Sequence, residues 1–190
     1  MAETIAPSTG TINTDQILAD VFKQYPKLAV GNDPTKTKLL IAPLERIAAA
    51  KTAGSGRLEY WPPLEEGTTD FKHPAPGNTA IEVYDSKLRD NPELLKQAVF
   101  GDLLHGMRND PEFDKYRQEF KGNFTPQSIA MEQRQGNRSI NDSRLDEYIR
   151  GYISPDENAE FLNAYKKGEP IYSQKQIELL NKMKEYLGVK

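Results

Sequence analysis

The 190-residue chain contains no cysteine. That removes disulfides, thiolate metal ligands and cysteine nucleophiles, and it fits a reducing compartment. Histidine is almost as scarce: any imidazole chemistry must pass through His73 or His105. Hydrophobic residues make up 37% of the chain and charged residues 28%. No apolar run approaches the roughly 20 residues that a membrane-spanning helix needs. The opening MAETIAPSTG lacks the basic start and apolar stretch of a secretory signal. Basic residues are not in excess, with 25 Lys and Arg against 28 Asp and Glu. No Lys/Arg stripe is visible, so nucleic acid is not an expected partner. Glycine-rich phosphate loops, a nucleophile elbow and internal repeats are missing as well. What is left is a polar chain of single-domain length.

The most organised stretch is Ile81–Met107. Ile81, Val83 and Tyr84 alternate with Glu82 and Asp85, the period of a half-buried strand. Asn91 is a good N-cap, Pro92 suits the first helical position, and Glu93 stands well in the first turn. The helix is expected to run from Pro92 to about Met107, where Asn109-Asp110-Pro111 stops it. Leu95, Val99 and Leu103 recur at i, i+4 and i+8, so most of it should be buried. Gly101 and His105 would then share one face, with Asp102 beside it. A glycine inside a helix costs about 1 kcal/mol relative to alanine, and close approach of another backbone is its usual reason.

These residues carry a resemblance. A strand, a short turn and a helix with histidines at i and i+4, the first followed by glutamate, form the zincin metallopeptidase core. There the histidines bind zinc and the glutamate activates water. Gly101-Asp102-Leu103-Leu104-His105 resembles that H-E-x-x-H helix with only the last histidine kept. Asp102 is one methylene shorter than the glutamate, and Gly101 has no ligand to offer. The chain is also similar, over residues 57–187, to uncharacterised proteins of tailed bacteriophages. The shared segments are Leu58-Glu59-Tyr60-Trp61-Pro62-Pro63, the Gly-Asp-Leu-Leu-His run, and Asp146-Glu147-Tyr148-Ile149-Arg150-Gly151-Tyr152. A later helix carboxylate completes many zincin metal sites, and Glu147 is the candidate for that place. Asp102, His105 and Glu147 are thus the candidate catalytic residues, and His105 and Glu147 the candidate metal ligands. Asp102, Asp146 and Glu147 together could hold a hard cation. Against these stand plainer readings: His105 as a structural histidine, and Asp102 or Glu147 in an ionic cluster with Arg150. His73, in a Pro- and Gly-rich loop over 64–79, is read as a solvent-facing residue.

The remaining chain reads mostly as helices. Residues 1–35 read as a flexible arm with one short helix, capped by Thr14 and ended by Pro26, that either docks on the main body or reaches a neighbouring subunit. Residues 36–190 form one globular domain. Lys27–Lys38 reads as a loop, and Leu39–Lys51 as an apolar segment that turns helical near Pro43. Leu58–Trp61 alternates as a strand that pairs with Ile81–Asp85. Phe113, Tyr116 and Phe120 stripe a helix from Pro111. Thr125 caps another, and Glu132–Asn141 reads as an exposed loop whose Arg134 and Arg138 could meet an acidic partner. Leu145, Tyr148, Ile149 and Tyr152 stripe a helix from Asp142 or Ser143, and Phe161, Leu162 and Tyr165 one from Ser154-Pro155. Ser173 and Gln176 form a capping box before the last. The fold class is α+β, mostly helical, with a small sheet of two or three strands on a multi-helix core, zincin-like by the resemblance.

The resemblance, the lost ligand at 101 and the arm point to a non-catalytic interaction or structural protein associated with a bacteriophage virion. It would reside in the virion or the host cytoplasm, use no cofactor, and meet virion or host proteins through the arm or an open sheet edge, with assembly into an oligomer. A metal-dependent or acid–base hydrolase, acting on peptide or cell wall, is the competing class. An inhibitor of a host protein is a third.

Overall fold

The computed structural model describes residues 12–42, 58–62, 77–84, 86–134, 136–137, 139–154 and 171–190. Asn13, one residue before the expected cap, opens helix α1 (Thr14–Gln24) by accepting from Gln16 N at 3.0 Å. Ile17, Leu18 and Val21 are buried, and α1 lies in the same core as the rest of the chain. The helix foreseen as part of an arm therefore docks on the body. The stretch read as a loop from Lys27 holds a short helix α2 (Leu28–Gly31) and the start of strand β1 (Thr37–Ile41). Leu39–Ile41 is thus strand. A short run of Leu and Ile has no period of its own, so β pairing decides it. The helix expected from Pro43, the loop with His73 and the helix after Ser154-Pro155 lie outside the described residues.

Strands β2 (Leu58–Trp61) and β3 (Thr79–Val83, two residues earlier than expected) do pair, and the pairing is antiparallel, Tyr60 opposite Ile81. β1 joins β3 from the other side in parallel, Leu39 opposite Ile81, giving the order β1-β3-β2. β3 is therefore central, and all five of its residues are buried. The half-buried alternation expected there does not hold, because a central strand covered on both faces needs no solvent side. Glu82 is inside too, accepting from the Tyr84 hydroxyl.

Among the described residues seven further elements follow: α3 (Ser86–Arg89), α4 (Pro92–Leu103), a 3-10 helix (Leu104–Asn109), α5 (Pro111–Lys121), α6 (Pro126–Arg134), α7 (Asp142–Ile153) and α8 (Gln174–Leu187). Their starts follow local chemistry. Asn91, Asp110, Asn141 and Ser173 each accept a first-turn backbone N–H, and Ser173 and Gln176 form the full capping box. Each such cap is worth roughly 1 kcal/mol. α4 packs on α1 and β2, α8 on α5 and α7, and α2 on the 3-10 helix. Among the described residues Phe100, Phe113, Phe120 and Tyr148 are the largest sealed side chains. Burying each contributes about 1.5–3 kcal/mol. The expected mostly helical α+β class is what forms. No helix among the described residues is long and apolar enough to cross a membrane.

Candidate functional site

The site starts where α4 stops. An α-helix reaching Met107 was expected, with positions 101 and 105 on one face. The α geometry instead ends at Leu103, and Leu104–Asn109 winds as a 3-10 helix. This turn lies against α2. A Cβ on Gly106 would fall 1.9 Å from Asn32 Oδ1, and one on Gly31 would fall 2.6 Å from Gly106 O. Two glycines thus let the α2 end lie directly on the turn. Asn32, 2% exposed, then donates through Nδ2 to Leu103 O at 2.9 Å and to Leu28 O at 3.0 Å. Asn109 Nδ2 donates to Gly31 O at 3.3 Å.

Gly101 has a different reason from the backbone approach expected of it. The space its side chain would fill is taken by α7: a Cβ there would lie 2.8 Å from Arg150 Nε and 3.1 Å from Ser154 Oγ. Arg150 Nη1 reaches Asp102 Oδ1 at 2.7 Å and Glu147 Oε1 at 3.7 Å. Asp102 is 2% exposed, so this guanidinium is what makes its burial tolerable. The ionic cluster with Arg150 is the arrangement present.

His105 sits between two carboxylates of α7. Nδ1 is 3.3 Å from Asp146 Oδ2 and Nε2 is 3.5 Å from Glu147 Oε1. Burial alone would lower its pKa, but the hydrogen bonds to Asp146 and Glu147 and the charge of Asp102 outweigh it. They raise the pKa from 6.5 to about 9. The ring is an imidazolium at neutral pH. Burial likewise works to raise the Glu147 pKa, and His105 and Arg150 reverse it, keeping Glu147 below the usual carboxylate range. The Tyr60 ring covers His105, centroids 5.5 Å apart, and its hydroxyl donates to Asn32 Oδ1 at 3.4 Å.

Arg117, on α5, completes the cluster. Its Nε donates to Asp146 Oδ1 at 2.6 Å, Nη2 to Asp142 O at 3.2 Å, and Nη1 to Asp114 Oδ1 at 3.4 Å. The side chain is 3% exposed. A signal existed: Arg117 lies four residues after Phe113 and three before Phe120, on the buried stripe of α5. A cation on such a face must find an anion.

Chemically this is a chain of alternating charges: Asp102, Arg150, Glu147, His105, Asp146, Arg117. It ties α4, the 3-10 helix, α5 and α7 together. Histidine binds metal through a neutral ring's lone pair, and here both nitrogens face carboxylates and hold protons. The oxygens that a hard cation would need are claimed by Arg150, Arg117 and His105. Among the described residues no group of three His, Cys, Asp or Glu is placed to hold a metal. Asp102, His105 and Glu147 do converge, but on each other's counter-ions. Arg138 and His73 lie outside the described residues.

A second polar cluster corrects the exposed-loop reading of Glu132–Asn141. Glu132 is in α6 and 1% exposed. Arg144 grips it with Nε at 3.0 Å and Nη2 at 2.8 Å, Asn137 Nδ2 adds 2.7 Å, and the Tyr148 hydroxyl 3.1 Å. Burial opposes ionisation, yet these donors hold the carboxyl below its ordinary range. Beside it opens a pocket of about 380 Å³ lined by Phe124, Ile129 and Ile140 with Lys121, Gln133 and Asn137. Ile129 is 44% exposed at this place. No protein-family model, curated protein or solved structure matches the chain.

Proposed function

We propose that this is a non-catalytic interaction or structural protein, of the kind that tailed bacteriophages carry in or on the virion. The observation that carries the first half is the saturation of His105. A general base needs an available lone pair at working pH, and a metal ligand needs one too; this imidazole offers neither. The phage assignment rests on the three sequence segments quoted above. The contact surface we favour is the pocket beside Ile129. It is mainly apolar, with polar groups at its margin, and suits one bulky side chain of a protein partner. The residues before Ile12 supply a further contact in this reading.

The test is elemental analysis of purified full-length protein, with peptide and cell-wall hydrolysis assays on wild type, Asp102→Ala and His105→Ala. A pull-down from infected cells accompanies it, with Ile129→Glu alongside. The reading expects no stoichiometric metal, no activity that the variants change, and capture of virion proteins that Ile129→Glu weakens at least tenfold. Stoichiometric zinc, or hydrolysis abolished in both folded variants, would establish the hydrolase instead.

A further inference from the structure

We infer that α2 is a latch on the chain that follows α4: docked, it holds Leu104–Asn109 in the 3-10 form and His105 against α7; undocked, it lets α4 extend and withdraws His105. This inference is independent of who the partner is.

An unbroken α-helix would pair Leu103 O with the amide of Met107, four residues on. In the 3-10 form that carbonyl faces the amide one residue earlier, and it also accepts from Asn32 Nδ2 at 2.9 Å, a bond spanning 71 residues of sequence. A 3-10 helix has poorer hydrogen-bond geometry than an α-helix and rarely exceeds a few residues without outside support. Here it runs for six residues, and the support is visible. Asn32 binds the carbonyl, Gly31 and Gly106 allow the contact, and Asn109 Nδ2 returns a bond to Gly31 O. α2 itself is a single turn of four residues. It is marginal alone, so its docking and the 3-10 form depend on each other.

The geometric consequence reaches the charge chain. The α and 3-10 forms differ by about 20° and about 0.5 Å per residue. Two residues past Leu103, His105 would turn by roughly 40° and shift by about 1 Å. At about 5–6 Å from the helix axis, that arc moves the imidazole by roughly 4 Å. Contacts of 3.3 and 3.5 Å to Asp146 and Glu147 do not survive such a move. α2, packed on the 3-10 helix, therefore decides whether the acids are neutralised. Elements with two discrete arrangements are what switching proteins use.

Two measurements on the full chain test this. In the first, native-state hydrogen exchange in low urea is read on wild type. The amides of 28–32 and of 104–109 should share one opening free energy and one urea dependence, below that of global unfolding. In the second, His105 is titrated by NMR in Asn32→Ala and Gly106→Ala, with Leu187→Ala as a control for general destabilisation. Both latch variants should lower the His105 pKa by more than one unit, a greater than tenfold rise in its acid constant, and the control should not. Independent opening of the two segments, opening only with the whole protein, or an unchanged His105 in folded latch variants overturns the inference. Should the variants fail to fold, the wild-type exchange pattern still decides it.

Discussion

His105→Gln removes a titration that should shape stability between neutral and alkaline pH. In the folded chain the imidazolium is held to about pH 9, because Asp146 and Glu147 more than offset the cost of burial. In the unfolded chain it titrates near 6.5. Below pH 6.5 both states carry the proton and the full stabilisation is present. Between 6.5 and 9 only the folded state carries it, so raising the pH favours unfolding by about 1.4 kcal/mol per unit. Over the window the loss sums to about 3 kcal/mol, after which the His105 contribution levels off. The His105 side chain is 12% exposed, so solvent screening takes little from that figure. The assay is urea unfolding of wild type and His105→Gln at half-unit steps from pH 6 to 10. The wild-type curve should fall across the window by about 3 kcal/mol more than the variant curve. His73 and the terminal amine are common to both proteins and cancel in the difference. Parallel curves would refute the reasoning, as would an NMR midpoint for His105 near 6.5.

Three other outcomes are expected. Arg117→Met strips a buried Asp146 of its shortest partner, and breaking such a pair costs about 3–5 kcal/mol; Arg117→Met with Asp146→Leu should recover much of that, measured as a double-mutant cycle in urea. Restoring the complete motif with Gly101→His and Asp102→Glu should not recruit zinc, because Arg150 fills the space at 101; isothermal titration with zinc, after circular dichroism confirms folding, decides it. Glu132→Ala leaves Arg144 without its carboxylate and should lower stability by about 3 kcal/mol or more. The wild-type contribution of Glu132 should itself fade as pH drops below the ordinary carboxylate range, since its pKa is depressed in the fold.

The helix starts at Pro92, Pro111, Pro126 and Gln174 could be read one by one. Each depends on a cap and a first turn that lie within four residues of sequence. The pairing of Leu58–Trp61 with the strand after it was readable for a similar reason, as two apolar-alternating runs flanked by turn residues. At the candidate site, the sequence placed Asp102, His105 and Glu147 in one neighbourhood and named Arg150 as a counter-ion. It did not show Arg117 closing the chain of charges, although a cation on the aromatic stripe of α5 was a legible anomaly.

What only the tertiary structure decided has one physical source, contact across long sequence separation. β1 became a strand because β3 offered a free edge, and β3 lost its solvent face because it became central. α4 ends four residues short where Asn32, 71 residues away, donates to the Leu103 carbonyl. Position 101 is bare because Arg150, on another helix, stands where its side chain would go. Local sequence determines where helices can begin, since caps and propensities act over a single turn. It does not determine which partner arrives at a given backbone group, and here that partner set both the end of the helix and the state of its histidine.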